Sequence, residues 1–289
     1  KAADYCNVTQ PTLSSMIQKL EEELSVKIFD RSKQPIKPTA EGMLIIERAW
    51  NILVRAKQLK EVVEEERHSL SGTFHVAVLP TIAPYLIPRF LPQLMNEYPE
   101  LDIRVTEMKT EDIHKALKHG DIDAGIVAQV EGQEGFDSEH LYFEKFFVYV
   151  SKGDALFNNK AIRTVDLTGE YLWLLDEGHC FREQLVKFCH LKSAAKSKKA
   201  YNLGSIETFM RIVESGKGVT FIPELALEQL TEVQKELVRS FAHPIPTRDI
   251  IMLTQKNFLR TSLRQLIIDK IRAAVPADML QMNKMQQAL

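Results

Sequence analysis

The residues most able to do chemistry lie in the stretch DEGHCFREQLVKFCHL, residues 176–191. It contains Cys180 and Cys189, two of the three cysteines of the chain. The segment between them predicts a helix, which would place the two side chains on opposite faces and roughly 13 Å apart along the axis. A disulfide requires Cα atoms within about 7 Å of each other. The two thiols therefore either never meet or meet only when this segment refolds.

Other interpretations of these cysteines stay open at this point. Cysteine pairs in an α/β domain are most often small core residues. The pattern His179–Cys180 and Cys189–His190 also suggests two halves of a zinc site, but the intervening helix separates them too far for one ion. Cys6 is predicted to lie in the core, on the apolar side of the first helix. We expect no metal and no cofactor.

The sequence around Cys180 predicts a site that favours a thiolate, the form in which cysteine acts as a nucleophile. Cys180 follows Gly178 and begins the predicted helix, where backbone N–H groups and the helix dipole favour an anion. His179 and Arg182 add positive charge nearby. Cys189 lies among apolar neighbours, and we expect it to be buried and inert.

Composition limits the broad class of the protein. The chain has 289 residues, 45% of them hydrophobic, which is enough for two domains, and its net charge of −2 gives no global nucleic-acid signature. No stretch approaches the ~20 apolar residues of a membrane span. Three cysteines are typical of a reducing compartment, so we predict a cytoplasmic protein. The chain begins with Lys1 inside a predicted helix, so we expect residues to be missing before it.

The N-terminal residues 2–24 predict a short helix, a turn at Asn7, and a second helix capped by Thr9 with Pro11 in its first turn. Apolar residues at helical spacing predict a buried stripe on the second helix: Leu13, Met16, Ile17, Leu20 and Leu24. An ordinary helical hairpin would explain this pattern as well as a helix-turn-helix does.

The opposite face of the second helix carries short polar side chains. Such groups can reach base edges and phosphates when a helix lies in the major groove of DNA. A proline-punctuated hairpin follows, with basic residues placed as a wing over the DNA backbone would require. The predicted DNA-contacting residues are Gln10, Pro11, Thr12, Ser14, Ser15, Gln18, Lys19, Arg31 and Lys33.

A long helix is predicted from Thr39 to about Leu70. It has too many apolar residues for a single surface helix: Leu44, Ile45, Trp50, Leu53, Val54, Leu59, Val62 and Val63. They need a partner, which is either an antiparallel helix from a second copy or the C-terminal part of the same chain.

Beyond residue 72 the pattern changes to strands alternating with helices. Strands are predicted over 73–81, 101–110, 122–128, 143–151, 171–177, 199–205, 218–224 and 249–255, and helices over 84–97, 111–118, 206–215 and 260–273. This alternation predicts parallel sheets and an α/β fold. The chain is expected to cross between two lobes near 147 and to return near 250, which leaves a cleft for ligands.

The motifs together carry a family resemblance. The stretch AADYCNVTQPTLSSMIQKLEEELSVKIFDRS, followed by PTAEG, resembles the winged helix-turn-helix of LysR-type bacterial transcription regulators. The remainder is similar to the periplasmic-binding-protein-like effector domain of that family. Within the family, LPTIAPYLIP, EMKT, DEGHCFREQ and GSIET resemble the OxyR group of hydrogen peroxide sensors.

The resemblance implies a domain organisation and a fold. The expected domains are a winged helix-turn-helix at 1–40, a dimerising linker helix at 41–70 and a redox-sensing regulatory domain at 71–289. The regulatory domain would be α/β, with two Rossmann-like lobes, lobe I at 71–146 and 251–289 and lobe II at 147–250.

The resemblance also implies site residues. Cys180 matches the peroxidatic cysteine and Cys189 the resolving cysteine of a reversible disulfide. The peroxide-binding positions match Thr81, Thr110, His179 and Arg182.

The function implied is a redox-responsive regulator that switches DNA binding and activates antioxidant genes, and not an enzyme. One alternative is a LysR-type regulator that binds a small organic ligand in the cleft, with incidental cysteines; another is a thiol peroxidase. The expected partners are double-stranded DNA with a palindromic operator, further copies of the chain in a homodimer or homotetramer, hydrogen peroxide as signal, RNA polymerase, and a reductant such as glutaredoxin or thioredoxin. No membrane association is expected.

Overall fold

The structure is a computed structural model that describes residues 2–32, 34–66, 70–167, 172–175, 180–189 and 205–289. The chain divides into two compact units, Lys1–Lys60 and Glu61–Leu289. The predicted domain and lobe boundaries stay predictions, because compactness alone does not test them.

The first unit contains the predicted helix pair and hairpin. Its elements are α1 (Ala2–Tyr5), α2 (Gln10–Glu23), β1 (Phe29–Asp30), β2 (Lys37–Pro38) and the greater part of α3 (Ala40–Glu66), which ends six residues beyond Lys60. The Thr9 hydroxyl accepts a hydrogen bond from the backbone N–H of Thr12, so Thr9 caps α2 as predicted. Asn7 adopts the left-handed backbone conformation, φ 51°, at the predicted turn. The hairpin is confirmed too, since β1 and β2 pair antiparallel.

Two predictions of burial in the first unit are wrong. The stripe on α2 is not buried in this chain, because Met16, Leu20 and Leu24 are 56%, 43% and 45% exposed. Within the described part of this unit the buried hydrophobic side chains are Ala3 and Ile28, so no element covers the outer half of the stripe. Cys6 is exposed and not in the core, since α1 ends one residue earlier and leaves Cys6 in the turn.

Helix α3 runs from Ala40 to Glu66, close to the predicted span, and the Thr39 hydroxyl accepts from the N–H of Gly42 at its start. Its apolar residues are largely uncovered in the single chain. Leu44, Leu53 and Leu59 are 66%, 60% and 73% exposed. The prediction that a second copy covers them is therefore compatible with this helix.

The second unit has a mixed sheet with helices against it. Its elements are β3 (Gly72–Val78), α4 (Ala83–Glu97), β4 (Leu101–Glu107), α5 (Thr110–His119), β5 (Ala124–Ala128), β6 (Phe136–Val150), β7 (Ala161–Ile162), α6 (Cys180–Phe188), α7 (Ile206–Glu214), β8 (Val219–Pro223), α8 (Glu232–Lys235), β9 (Val238–Phe241), β10 (Ile245–Gln255), α9 (Thr261–Ala274) and β11 (Gln286–Ala288). The strand order is β4-β3-β5-β10-β6-β9-β7, with β11 beside β10 and β8 beside β6.

The predicted parallel pairing holds only for part of this sheet. Strand β3 pairs parallel with β4 and β5, but β10 pairs antiparallel with both β5 and β6. Strands β6 and β10 run through the sheet in opposite directions, as the outward and return crossings of one chain must. The first part of β6 pairs with β10, whereas Phe146–Val150 pair with β8, so β6 links the two halves of the unit.

Most predicted elements of the second unit form, with three differences. Strand β6 begins at Phe136, seven residues before the predicted start at 143. Residues 172–175 of the predicted strand 171–177 make a single bridge, from Leu172 to Val219, and no strand. The predicted strand at 199–205 lies outside the described residues except for Ser205, which precedes α7.

The core consists of buried side chains on the inner faces of this sheet and its helices, including Phe74, Leu86, Ile113, Leu185, Phe221 and Ile268. Of the helices that the structure describes, none is long and apolar enough to cross a lipid bilayer.

Candidate functional site

Helix α6 positions the two cysteines. It begins at Cys180, and its first turns pack Phe181 and Leu185 into the core, where the Phe181 ring lies 4.9 Å from that of Phe146. The Cys189 N–H donates to the carbonyl of Leu185 at 2.9 Å, so the helical bonding reaches the second cysteine. Both cysteines are free thiols, and both are buried.

Thr110 lies beside Cys180. It is the first residue of α5, and it is 8% exposed. Its hydroxyl is close enough to the Cys180 sulfur to favour the thiolate. Within the described residues the Thr110 oxygen is buried without a partner in good hydrogen-bond geometry, so it can turn toward a small polar molecule at this point.

A buried arginine links Thr81 to this site. Arg248 on β10 is fully buried and forms an ion pair with Glu144 on β6 at 2.6 Å. Its guanidinium donates to the hydroxyl and to the carbonyl of Thr81, both at 3.0 Å. It also lies 5.2 Å from the centre of the Phe181 ring, next to Cys180 in the chain. Arg248 thus fixes Thr81 and places a cation near the thiol.

Burial dominates the acidity of Cys180. It raises the pKa of the Cys180 thiol, while the Arg248 charge, the Thr110 hydroxyl and the Phe181 N–H lower it, and the Glu183 carboxylate raises it further. The net direction is upward among the described residues. Gly178 and His179, on which the expectation of a thiolate also depends, lie outside them, so that expectation stays a prediction. Helix-end and charge effects are present, but they do not offset the loss of solvent.

Among the residues that the structure describes, no polar group that shifts its pKa lies near Cys189. Burial is the cause that raises its pKa, to about 12. The neighbouring Phe188 ring packs edge-on to Phe241 at 6.2 Å. As expected from the sequence, Cys189 is a buried thiol in apolar surroundings.

The structure describes three of the four predicted peroxide-binding residues, and two of these lie at the site. Thr81 and Thr110 lie at this site, and Arg182 is half-buried on α6. His179 lies outside the described residues. Sequence reasoning missed Arg248 and Glu144. The one signal for them is a charged pair of residues, Arg248 and Asp249, within the otherwise apolar strand TRDIIML.

The comparisons with known proteins cover both units. The profile described as "LysR substrate binding domain" matches residues 67–276, and that described as "Bacterial regulatory helix-turn-helix protein, lysR family" matches residues 1–43. The chain belongs to the LysR family. The two matched domains follow one another in the order that the sequence motifs predicted.

Within the LysR family, relatives of this chain include proteins named as regulators of the response to hydrogen peroxide. The chain is 32% identical over 94% of its length to the DNA-binding transcriptional dual regulator OxyR of Escherichia coli, of which it covers 89%. It is 31% identical over 98% of its length to the hydrogen peroxide-inducible genes activator of Pectobacterium carotovorum, of which it covers 94%. Like these relatives, this LysR-family chain is of the OxyR type.

Solved structures of the family support the same assignment. OxyR from Porphyromonas gingivalis is 46% identical, with a TM-score of 0.71 over 75% of this chain and 99% of that one. A full-length cysteine-to-aspartate variant of OxyR from Pseudomonas aeruginosa is 30% identical, with a TM-score of 0.75 over 95% of this chain and 92% of that one. The fold of this LysR-family chain is therefore that of a helix-turn-helix domain followed by a two-lobed α/β domain.

The predicted DNA-contacting face belongs to the helix-turn-helix of this LysR-family chain. Its side chains are exposed on α2 at Gln10, Thr12, Ser15, Gln18 and Lys19. Pro11 is exposed as well, while Ser14 is half-buried. Arg31 in the hairpin forms an ion pair with Glu21 on α2 at 3.1 Å, which holds the hairpin against the helix. Lys33 lies outside the described residues.

Proposed function

We propose that this chain is a DNA-binding transcription regulator that hydrogen peroxide switches through a reversible disulfide between Cys180 and Cys189. The observation that carries the proposal is the pair of thiols on one helix, with Cys180 between Thr110 and the Arg248 that holds Thr81. The similarity to hydrogen peroxide-inducible genes activators supports hydrogen peroxide as the molecule that oxidises this pair.

The chemistry begins at Cys180. Its thiolate attacks one oxygen of hydrogen peroxide, the O–O bond breaks, and the leaving hydroxide takes a proton to become water, which leaves a sulfenic acid on sulfur. The hydroxyls of Thr81 and Thr110 orient the peroxide, and the Arg248 charge stabilises the negative charge that develops. His179 and Arg182 are proposed to line the same site.

The second step links the two cysteines. The Cys189 thiol gives up its proton and attacks the sulfenic sulfur, a disulfide forms as the S–O bond breaks, and the departing hydroxide takes up a proton to leave as a second water. Because α6 is helical from Cys180 to Phe188, the cysteines are about 13 Å apart along its axis, beyond the roughly 7 Å that a disulfide allows. Oxidation must therefore unwind or rearrange this helix, and the disulfide then holds the new shape. A dithiol reductant such as glutaredoxin or thioredoxin would return two electrons and two protons to the pair.

The change in the shape of this segment would be transmitted to the DNA-binding domains through contacts between subunits. We infer a dimer held by the exposed apolar face of α3 and a second contact between regulatory domains, which makes a homotetramer. Paired helix-turn-helix domains would then contact a palindromic operator through α2, and the oxidised form would engage RNA polymerase as an activator. A cytoplasmic location fits these roles and stays a prediction.

Mass spectrometry after one equivalent of hydrogen peroxide would test the proposal. The reduced protein is alkylated and digested, and the expected product is a Cys180–Cys189 disulfide that leaves Cys6 free. The matched control is Cys6→Ser, which should form the same disulfide at the same rate. Three unmodified thiols would contradict the proposal and favour a LysR-type regulator with a small organic ligand.

The proposal also excludes a thiol peroxidase. A sensor consumes about one peroxide per disulfide, whereas a peroxidase turns over many while its reductant lasts. Peroxide consumption with excess dithiothreitol should therefore stay limited by slow re-reduction of the disulfide. Rapid, sustained turnover would make the chain an enzyme.

A further inference from the structure

We propose that Phe181 is a positioning residue for the peroxide reaction, because its ring holds the Arg248 guanidinium near Cys180. This inference rests on the proposed function and adds a residue to it. Phe181 follows Cys180 in the first turn of α6 and is 3% exposed. Its side chain has no polar atom, so it acts through Arg248 and not on peroxide itself.

Two aromatic rings form a corner around the guanidinium. The central guanidinium carbon of Arg248 lies 5.2 Å from the centre of the Phe181 ring and 5.5 Å from that of the Phe146 ring. The two rings meet nearly edge-on, with their centres 4.9 Å apart. The negative face of an aromatic ring attracts an arginine, and the attraction is strongest where water is excluded. Arg248 and Phe146 are fully buried, so these contacts belong to the stronger class.

The Phe181 ring is the part of this corner that depends on the redox helix. The hydrogen bonds of Arg248 go to Glu144 on β6 and to Thr81, which precedes α4. Phe146 also lies on β6. Among the contacts of Arg248 in the described part of the chain, the Phe181 ring is therefore the one that α6 makes. The place of the cation relative to the start of α6 depends on this ring.

The Arg248 charge acts on the thiol at the start of α6. Burial raises the pKa of Cys180, the Arg248 charge lowers it, and the exposed Glu183 carboxylate raises it further. A guanidinium that loses the Phe181 ring is free to shift away from α6, and the thiolate then loses part of its stabilisation. Because the thiolate is the form that attacks peroxide, the reaction should slow.

A ring that only fills space would have the opposite effect on the thiol. Phe181 is buried in the core, so a smaller side chain leaves room that water can enter. Water relieves the burial of Cys180, and this lowers the pKa of the thiol. The direction in which the ionisation of Cys180 moves therefore separates positioning of the cation from simple packing.

Titration of the thiolate tests the proposal without peroxide. The ultraviolet absorbance of the reduced full chain is followed against pH, and the part due to Cys180 is obtained by subtracting the same titration of Cys180→Ser. Phe181→Leu should raise the midpoint by about half a pH unit, which is about threefold less thiolate at neutral pH. A midpoint that stays or falls overturns the proposal.

The rate of the reaction with peroxide gives a second measurement. Phe181→Leu should lower the second-order rate constant of the Cys180 thiol by about fivefold, as the loss of one buried contact between a ring and a cation does. In the Arg248→Met background, the same substitution should change the rate by less than about twofold, because no cation remains to be positioned. An equal loss in both backgrounds would mean that the ring acts without Arg248, and overturns the proposal.

Phe188→Leu is the matched control. Phe188 lies at the other end of α6, and its ring packs edge-on to Phe241 at 6.2 Å. This substitution removes a ring from the same helix but not from Arg248, so it should leave both the midpoint and the peroxide rate of Cys180 unchanged. Equal effects of Phe181→Leu and Phe188→Leu overturn the proposal, since loosening of α6 would then explain them. This comparison also decides the matter if Arg248→Met fails to fold.

The outcomes separate this inference from the proposed function. If the wild type does not react with peroxide, the proposed function fails, while the titration still decides whether Phe181 positions the Arg248 charge. If the wild type forms its disulfide but Phe181→Leu matches it in both measurements, the proposed function stands and Phe181 is an ordinary core residue.

Discussion

Cys180 and Cys189 are similarly buried, at 5% exposure each, but their surroundings differ in kind. Near Cys180 a cation, a hydroxyl and a backbone N–H each lower the pKa that burial raises. Near Cys189, burial is the cause of a pKa of about 12. Two cysteines on one helix can therefore be equally buried and still differ in the groups that act on their pKa values. The difference comes from the strands and helices that face each end.

The largest effect is expected when each of the two cysteines is replaced in turn. Cys180→Ser should lower the rate of peroxide consumption at least 100-fold, because the thiol left at Cys189 has almost no thiolate at neutral pH. Cys189→Ser should keep the initial rate and accumulate sulfenic acid on Cys180, since the second thiol is missing. Quenched alkylation and mass spectrometry measure both. Equal initial rates in the two variants would mean that the surroundings do not set the roles.

The next test removes the cation that distinguishes the Cys180 end. Arg248→Met leaves Glu144 buried without its charge partner, which should cost about 3–5 kcal/mol of unfolding free energy, and should slow the peroxide reaction as well. Urea unfolding of the reduced protein measures the stability.

Two further variants calibrate the loss in Arg248→Met. Adding Glu144→Gln should restore part of it, because the unpaired buried carboxylate is then gone. Arg104→Met, which breaks an exposed ion pair with Asp102, should change stability by less than about 1 kcal/mol. If both arginine variants lose the same free energy of unfolding, burial of the Arg248–Glu144 pair adds nothing to its contribution to stability.

The pH dependence of stability tests the surroundings of Cys189, at the C-terminal end of α6. The Cys189 thiol holds its proton to a pKa of about 12 in the folded chain, but to only about 8.5 when unfolded. Between these values the folded state binds more protons, so stability falls as pH rises, by about 1.5–2 kcal/mol at pH 10. In Cys189→Ala this part of the loss should disappear.

Urea unfolding at pH 8 and pH 10 measures that difference. Cys6→Ala is the matched control, since Cys6 is exposed and should leave the alkaline loss intact. If Cys189→Ala loses as much free energy as the wild type between the two pH values, its thiol is already accessible in the folded chain.

A smaller effect is expected at the hydroxyl beside Cys180. Thr110→Val keeps the shape and removes the oxygen, which should slow the reaction with peroxide by about fivefold, equivalent to one hydrogen bond of about 1 kcal/mol. Stopped-flow kinetics measure the rate. Thr73→Val, at an exposed position on β3, should react at the wild-type rate. A Thr110 variant that reacts as fast as that control would remove Thr110 from the site.

The local residue pattern predicted the helix and strands around the two cysteines. Tertiary packing determines the surroundings of each thiol, which the pattern did not predict. The helix between the cysteines, the cap at Thr9 and the strands β3 and β8 follow from residue spacing and were predicted. Arg248 was missed because it comes from a strand far along the chain. The burial of Cys180, which raises its pKa, was missed for a related reason, since burial depends on what covers the helix end.

The same distinction explains the errors in the first unit. The apolar spacing of α2 correctly predicted a helix, but spacing does not say whether another element covers the stripe. Met16 and Leu20 are exposed because the described part of this unit has few buried side chains to pack against them.

The smallest expected effect separates charge from contact at the Cys180 end. The Glu183 carboxylate raises the pKa of Cys180 while itself exposed, so Glu183→Gln should speed the peroxide reaction only about twofold, as surface charges contribute little. Glu139→Gln, an exposed carboxylate on β6, should have no effect on the rate. At about 0.5 M salt the advantage of Glu183→Gln should vanish, because screening then acts over a few ångströms. An advantage that persists at high salt would mean that Glu183 acts by shaping the start of α6 and not through its charge.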